Sequence, residues 1–125
     1  IAFCVYSGWR LAHVAWVATT RKGRRAIDPL GYKIDFAAGE AWTGAAYTMP
    51  FFRRRGLLGH GCLRRFEYLM DQGVKVSRAA IDVDNVSSHR VTMQFNPDVI
   101  GIGRQVKFLG HRWWSQSITK PYSAQ

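Results

Sequence analysis

The hydrophobic residues at the beginning of the chain fall into two short runs separated by a turn signal. Residues 1–6 are apolar and partly β-branched, and residues 10–20 carry valine and tryptophan at positions typical of a strand. The dipeptide Ser7-Gly8 between the two runs is a turn signal. This pattern predicts a β-hairpin.

Two further strands are predicted before the middle of the chain. Residues 32–36 alternate aromatic or aliphatic side chains with a lysine and an aspartate, as in a short amphipathic strand. Residues 41–49 are rich in strand-forming types and end before Pro50. The basic run of residues 21–25, which precedes both segments, is predicted to be a turn or loop.

The hydrophobic period changes to that of a helix after residue 56. Apolar residues recur at spacings of three and four along residues 57–72, and Gly73 is a natural C-terminal cap. Residues 76–84 form the next predicted strand. A strand, a sixteen-residue helix and a strand predict a βαβ unit with a parallel, right-handed crossover.

The remaining residues predict one more helix and a second hairpin. Residues 85–95 place Val91 and Phe95 on one helical face, and residues 100–109 and 112–118 are strands joined about Gly110. The sequence therefore predicts one mixed α/β domain over residues 1–125. Because the chain opens with Ile1 inside a strand pattern, we expect further residues to precede it in the whole protein.

Composition adds a strong charge signal. The chain of 125 residues has 18 Lys and Arg against 8 Asp and Glu, a formal net charge of +10. This charge favours an anionic partner: a nucleic acid, an acidic lipid or a phosphorylated cofactor. The longest apolar run is too short to span a bilayer, so no membrane partner is expected. The two cysteines lack the spacing of a redox or zinc motif, and a reduced, cytoplasmic protein is expected.

The segment between Pro50 and Gly61 carries the clearest candidate chemistry. Three arginines and Gly56 follow a predicted strand and precede a predicted helix. The first N–H groups of a helix have no partner within it, and its dipole favours negative charge. Arginines beside such a turn suit phosphate oxygens. The segment is either a pyrophosphate-binding loop or a solvated basic patch.

The same segment resembles the phosphate loop of the GNAT superfamily of acetyl-CoA-dependent N-acetyltransferases. Pro50, Arg53 and Gly56 match the family pattern P-x-x-[Q/R]-x-x-G-x-[G/A] in order, and Asn85 and Ser88 match its following Asn-x-x-Ser. The resemblance implies a GNAT-like sheet, mostly antiparallel, with one splayed parallel pair. The family's N-terminal strand and helices have no counterpart among the given residues.

The resemblance also implies the ligand and the residues that hold it. Acetyl-CoA would be the acyl donor, and a primary amine of a small molecule or protein would attack its thioester directly. The backbone of the strand end would pair with the pantetheine amide, and the loop amides and arginines would hold the pyrophosphate. The implied binding residues are Met49, Arg53, Arg54, Arg55, Gly56, Leu57, Leu58, Gly59, His60, Asn85 and Ser88.

The catalytic groups are less clearly marked by the sequence. Glu40 and Tyr47 are the candidates for base and acid, although Tyr47 also suits packing. Thr92 stands where many members of the family place a proton-donating tyrosine, so a noncatalytic domain that binds CoA or a partner is an alternative. The four histidines lack zinc-like spacing, and no metal is expected.

Two other partners are left open by the sequence. A nucleic-acid-binding module would use the basic residues 21–25 and 53–55 together with exposed aromatic residues, but the basic residues are scattered among loops and match no recognition motif. The Trp113-Trp114 pair on the last hairpin would suit the interface of a homodimer.

Overall fold

Over residues 1–119 the protein is a mixed α/β fold built from a four-stranded mixed sheet, a two-stranded sheet and three helices. The computed structural model describes residues 1–119, so residues 120–125 of the predicted domain lie outside the described range. The elements in chain order are β1 (Ala2–Ser7), β2 (Arg10–Ala18), α1 (Arg21–Arg25), β3 (Glu40–Thr48), a 3-10 turn (Pro50–Phe52), α2 (Leu57–Asp71), β4 (Val76–Arg78), α3 (Val86–Met93), β5 (Gly101–Phe108) and β6 (His111–Ile118).

The four-stranded sheet has the order β1-β2-β3-β4. The first two pairings are antiparallel, and β3 pairs with β4 in parallel. The N-terminal hairpin and the parallel crossover through α2 are therefore confirmed. Because β2 and β3 are antiparallel, the beginning of β2 and the end of β3 lie at the same end of the sheet.

Helix α2 covers one face of this sheet. Val17, Ala41 and Leu69 form a buried cluster, and Phe3 and Tyr68 pack against it. The helix ends before Gly73, whose φ of +74° glycine adopts without the steric cost of a Cβ. The predicted helix over residues 57–72 is confirmed to within one residue.

The opposite face of the sheet is covered by irregular chain. Ala18, Ile34 and Trp42 form its buried cluster. The strand predicted over residues 32–36 is wrong, although the alternation of buried and exposed side chains that suggested it is present. The backbone turns instead, because the Asp35 carboxylate accepts hydrogen bonds from the N–H groups of Ala37 and Ala38, both at 3.1 Å.

The turn predicted at residues 21–25 is also wrong. These residues form α1, which is capped by Thr20 through a 3.1 Å hydrogen bond from the Gly23 N–H to the threonine Oγ1. The guanidinium of Arg24 lies 4.2 Å from the centroid of the Tyr32 ring and donates to the Leu30 carbonyl. The helix therefore helps to hold the irregular segment against the sheet.

The C-terminal part departs from expectation in the length of one strand. Strand β4 covers Val76–Arg78 rather than residues 76–84. Helix α3 and the β5–β6 hairpin occur as predicted, but the hairpin forms its own two-stranded sheet. It contacts the rest of the protein through Trp114, whose ring faces Tyr32 at a centroid distance of 6.2 Å. Within residues 1–119, no helix combines the length and apolarity needed to cross a membrane.

Candidate ligand-binding site

The segment between β3 and α2 is a tight loop with two left-handed residues. After the 3-10 turn, Arg53 is extended, Arg54 has a φ of +62°, and Gly56 has a φ of +74° as the N-cap of α2. A Cβ added at Gly56 would meet no atom within 4 Å. The backbone at Gly56 is therefore open to solvent and available for the approach of a ligand.

The loop leaves a run of backbone donors without protein partners. In the described part of the chain, the N–H groups of residues 54–59 donate no hydrogen bond to protein acceptors, and the first such bond of α2 runs from His60 to the Gly56 carbonyl. Gly56 supplies no side chain to cap the helix. These donors and the positive end of the helix dipole make the loop suitable for an anion.

The arginines of the loop are held by aromatic rings and by the strand end. Arg53 donates from Nε to the Thr48 carbonyl at 3.1 Å and lies 5.7 Å from the Tyr47 ring centroid. Arg55 lies 5.2 Å from the centroid of the Phe51 ring. Among residues 1–119, no carboxylate lies within salt-bridge distance of residues 53–55. Their positive charge is therefore available to a ligand.

Strand β3 has an unpaired edge that leads to this loop. Its parallel pairing with β4 is limited to three positions, from Glu40 to Trp42. Beyond them, β3 bulges: Gly44 faces Trp16 and Tyr47 faces Val14, and Ala45 between them has a φ of +48°. A bulge bends a strand and increases its twist, which explains why β4 stops at Arg78.

Both backbone groups of Met49, the residue expected to pair with the pantetheine amide, have partners within the protein. Its N–H donates to the Ala12 carbonyl at 2.9 Å, and its carbonyl accepts from Phe52 at 2.9 Å. Successive strand residues direct their backbone groups to opposite sides. The backbone groups that point towards the open edge are therefore those of the neighbouring Thr48 and not those of Met49.

The two candidate catalytic residues lie at opposite ends of β3. Tyr47 lies seven positions after Glu40, at most about 23 Å away at the usual rise per residue of extended chain. Glu40 is buried, receives hydrogen bonds from Arg78, and accepts from the Asp35 N–H at 2.9 Å. Burial alone would raise the pKa of Glu40, but the Arg78 and Asp35 hydrogen bonds and the Arg78 charge lower it on balance.

This environment makes Glu40 a structural anchor. A carboxylate with a lowered pKa and charged partners is a weak proton acceptor at neutral pH. Tyr47 is half exposed near the loop, with Arg53 over its ring. Of the two candidates, Tyr47 alone lies beside the predicted ligand-binding loop.

Asn85 and Ser88 belong to the start of α3, and it is the packing of α3 against α2 that relates them to the loop. The Asn85 side chain caps α3 by accepting from the Ser88 N–H at 3.1 Å. Helix α3 packs on α2: the rings of Phe66 and Phe95 lie 5.2 Å apart, and a Cβ at Gly59 would lie 3.7 Å from Val91. The Asn-x-x-Ser pair thus has a capping function independent of any ligand.

The helix residues that follow the loop differ in exposure. Leu57, Leu58 and Gly59 are half-buried, whereas the His60 side chain is exposed. Thr92 is half-buried on α3. The structure therefore gathers the predicted residues 53–60 into one loop and helix start, while Glu40 stands apart.

A buried histidine that the sequence did not single out lies beneath α2. The His13 side chain is fully buried, and its Nδ1 lies 2.8 Å from the Thr48 Oγ1. Its Nε2 has no hydrogen-bond partner among the described residues and faces Gly61, where a Cβ would lie only 2.7 Å away. Burial first, and then the charges of Arg65 and His60, lower the pKa of His13 from its ordinary value of 6.5.

The stability of the fold is therefore expected to fall in mild acid. With the folded-state pKa of His13 below 6.5, the unfolded chain binds the proton more readily, so stability is lost as the pH falls below about 6.5. The expected slope approaches 1.4 kcal/mol per pH unit. Urea unfolding from pH 8 to 5 measures it. The slope of unfolding free energy against pH should become smaller in His13→Leu. It should stay the same in the control His111→Gln, which removes an exposed imidazole. An unchanged slope in His13→Leu would show that His13 is not the group responsible.

Two further features bear on what the site can hold. Among the described residues, no cluster of three His, Cys, Asp or Glu side chains is arranged to hold a metal ion. A concave surface of about 700 Å³ lies at the other end of β2, around Trp16, Ala18 and Ile27, and it includes none of the predicted binding residues. The candidate site is thus an open strand edge and a loop.

No protein-family model, curated protein or solved structure matches this chain.

Proposed function

We propose that the protein binds acetyl-CoA and transfers its acetyl group to a primary amine. The observation that carries the proposal is the unpaired edge of β3 running into a loop whose N–H groups, residues 54–59, have no acceptors in the described chain. An extended arm that ends in a diphosphate matches this combination. The GNAT-like spacing of Pro50, Arg53 and Gly56 supports the same assignment.

The groups of this chain have separate tasks in the proposed reaction. The Thr48 N–H at the open edge donates to an amide carbonyl of the extended arm, as an added strand would. The N–H groups of residues 54–59 hold the diphosphate, and Arg54 and Arg55 neutralise its charge. Arg53 remains bound to the Thr48 carbonyl and fixes the angle between strand and loop.

Bound acetyl-CoA supplies a thioester. Attack of a neutral amine on its carbonyl carbon forms a C–N bond and breaks the C–S bond. The thiolate of CoA is released and takes up a proton. Tyr47 is the proposed proton donor, because its hydroxyl belongs to a half-exposed residue on the bulged part of β3. Removal of the proton from the amine is assigned to solvent, since Glu40 is engaged by Arg78.

Acetyl-CoA titration is the test of this proposal. A ligand that binds only the folded state stabilises it by about 2.7 kcal/mol at a hundredfold excess over its Kd, so the melting temperature should rise with acetyl-CoA concentration. Thiol release is then followed with a panel of primary amines. Tyr47→Phe should lower kcat and leave the acetyl-CoA-induced shift intact. Absence of any shift at millimolar acetyl-CoA contradicts the proposal.

A noncatalytic function of the same site is the second candidate. The observation that favours it is Thr92, half-buried on α3, at the position of the family's usual acid. Stabilisation by acetyl-CoA without thiol release on any amine would support this candidate over the transferase.

A further inference from the structure

A second feature at the same end of the sheet is a surface of exposed aromatic rings and arginines. It consists of Arg10 from β2 with Phe51 and Arg55 from the segment after β3, which are in contact, and of Trp9, which precedes Arg10 in the chain; we call it the aromatic–arginine surface. Trp9 is 89% exposed and Phe51 65% exposed. Neither ring is needed for the two buried clusters of the fold.

The two arginines of this surface are held on the same pair of rings. Arg10 lies 5.2 Å from the Phe51 centroid and 5.4 Å from that of Phe52. Arg55 lies 5.2 and 5.5 Å from the same two centroids. The rings are edge-to-face at 5.2 Å, and Phe52 is buried. The guanidinium groups are thereby positioned at low entropic cost before any ligand arrives.

The charge of this surface is not balanced within the described chain. Over residues 1–119, the salt bridges join Arg24 to Asp28, Arg64 to Glu67 and Arg78 to Glu40, so neither Arg10 nor Arg55 has a carboxylate partner. The whole chain carries a net charge of +10. The surface therefore complements a ligand that is both anionic and aromatic.

We propose that the aromatic–arginine surface binds single-stranded nucleic acid. Unpaired bases stack on exposed rings, and guanidinium groups bind the phosphates between them. A duplex keeps its bases stacked on one another, so it offers no base face to Trp9 or Phe51. A lipid surface would use the charge but not the interleaving of arginines with rings. This binding is independent of acyl transfer and shares only Arg55 with the loop proposed to hold acetyl-CoA.

Fluorescence anisotropy with a labelled 12-nucleotide oligouridylate tests the proposal. Trp9→Ala should weaken binding about tenfold through the loss of one stacked base. Arg10→Gln should weaken binding and reduce the slope of log K against log salt by about 0.7, the value for one lost phosphate contact on a single strand. Trp113→Ala and Arg112→Gln are matched controls, because they remove an exposed tryptophan and an exposed arginine from β6, which belongs to the separate two-stranded sheet.

Three results would overturn the assignment. The first is the absence of oligouridylate binding at 0.1 M salt. The second is an equal loss of affinity in the β6 control variants. The third is binding of inorganic polyphosphate or anionic lipid vesicles as tight as that of oligouridylate, with no loss of affinity for any of these ligands in Trp9→Ala. Each leaves the acyl-transfer proposal intact, because Trp9→Ala and Arg10→Gln are expected to keep the full thermal shift with acetyl-CoA. Conversely, if the protein does not bind acetyl-CoA, oligouridylate binding by the aromatic–arginine surface is still expected.

Discussion

Replacement of Gly56 by glutamate is expected to abolish acetyl-CoA binding and to leave a folded protein. Gly56 is exposed, and a Cβ there meets no atom within 4 Å, so the new side chain fits without a clash. Its carboxylate would lie beside the unpaired N–H groups of residues 54–59. It would compete for those donors and repel a diphosphate. Calorimetric titration with acetyl-CoA should show at least a hundredfold loss of affinity.

The matched control for this variant lies at the other end of the same helix. Gly73 has the same φ of +74° and the same open surroundings, so Gly73→Glu carries equal charge and equal backbone strain. The strain should lower the stability of both variants by a similar amount, of the order of 1 kcal/mol. Only Gly56→Glu should lose acetyl-CoA. If its affinity stays within threefold of the unmodified protein, the loop does not hold the diphosphate.

The part of the fold that the sequence predicted well is the unit from β3 to β4. The apolar stripe of α2 is long enough for its period to be unambiguous, and Gly73 marks where it stops. The parallel pairing follows from the order of strand, helix and strand. Local signals of this kind depend on neighbours in sequence, which is why they can be read without a structure.

The failures have one local cause and one tertiary cause. Residues 32–36 have the alternation of a strand, but Asp35 folds the chain back on itself through its own carboxylate. The three-residue length of β4 follows from the bulge at Ala45, a residue with a φ of +48° that comes directly after Gly44 inside the predicted strand. The alternation of apolar and polar residues indicates which side chains face a core, but it does not indicate whether a neighbouring strand is present to pair with.

The candidate site was predictable only where it is contiguous in sequence. Residues 53–60 form one loop and helix start, as the pattern indicated. The approach of Arg10 to Phe51 and the pairing of Glu40 with Arg78 join residues 41 and 38 positions apart, and neither pair carries a motif. The GNAT relationship itself stays a prediction, carried by the spacing of the loop.

The role of Glu40 gives the second large expected effect: Glu40→Gln should destabilise the fold by about 3 kcal/mol, because it removes one charge of a buried ion pair with Arg78. Glu67→Gln is the matched control, since it breaks an exposed pair with Arg64 and should cost no more than about 1 kcal/mol. Urea unfolding at pH 7 measures both variants.

The pH dependence and the turnover of Glu40→Gln separate anchoring from catalysis. Because the folded-state pKa of Glu40 lies below its ordinary value of 4.5, the anchoring free energy is fully present above about pH 4.5 and is lost as the pH falls below it. The variant should therefore approach the stability of the unmodified protein in acid. At a temperature well below unfolding it should keep the unmodified kcat for thiol release. A large loss of kcat with unchanged stability would instead make Glu40 the catalytic base, and the buried ion pair with Arg78 would then have to open during turnover.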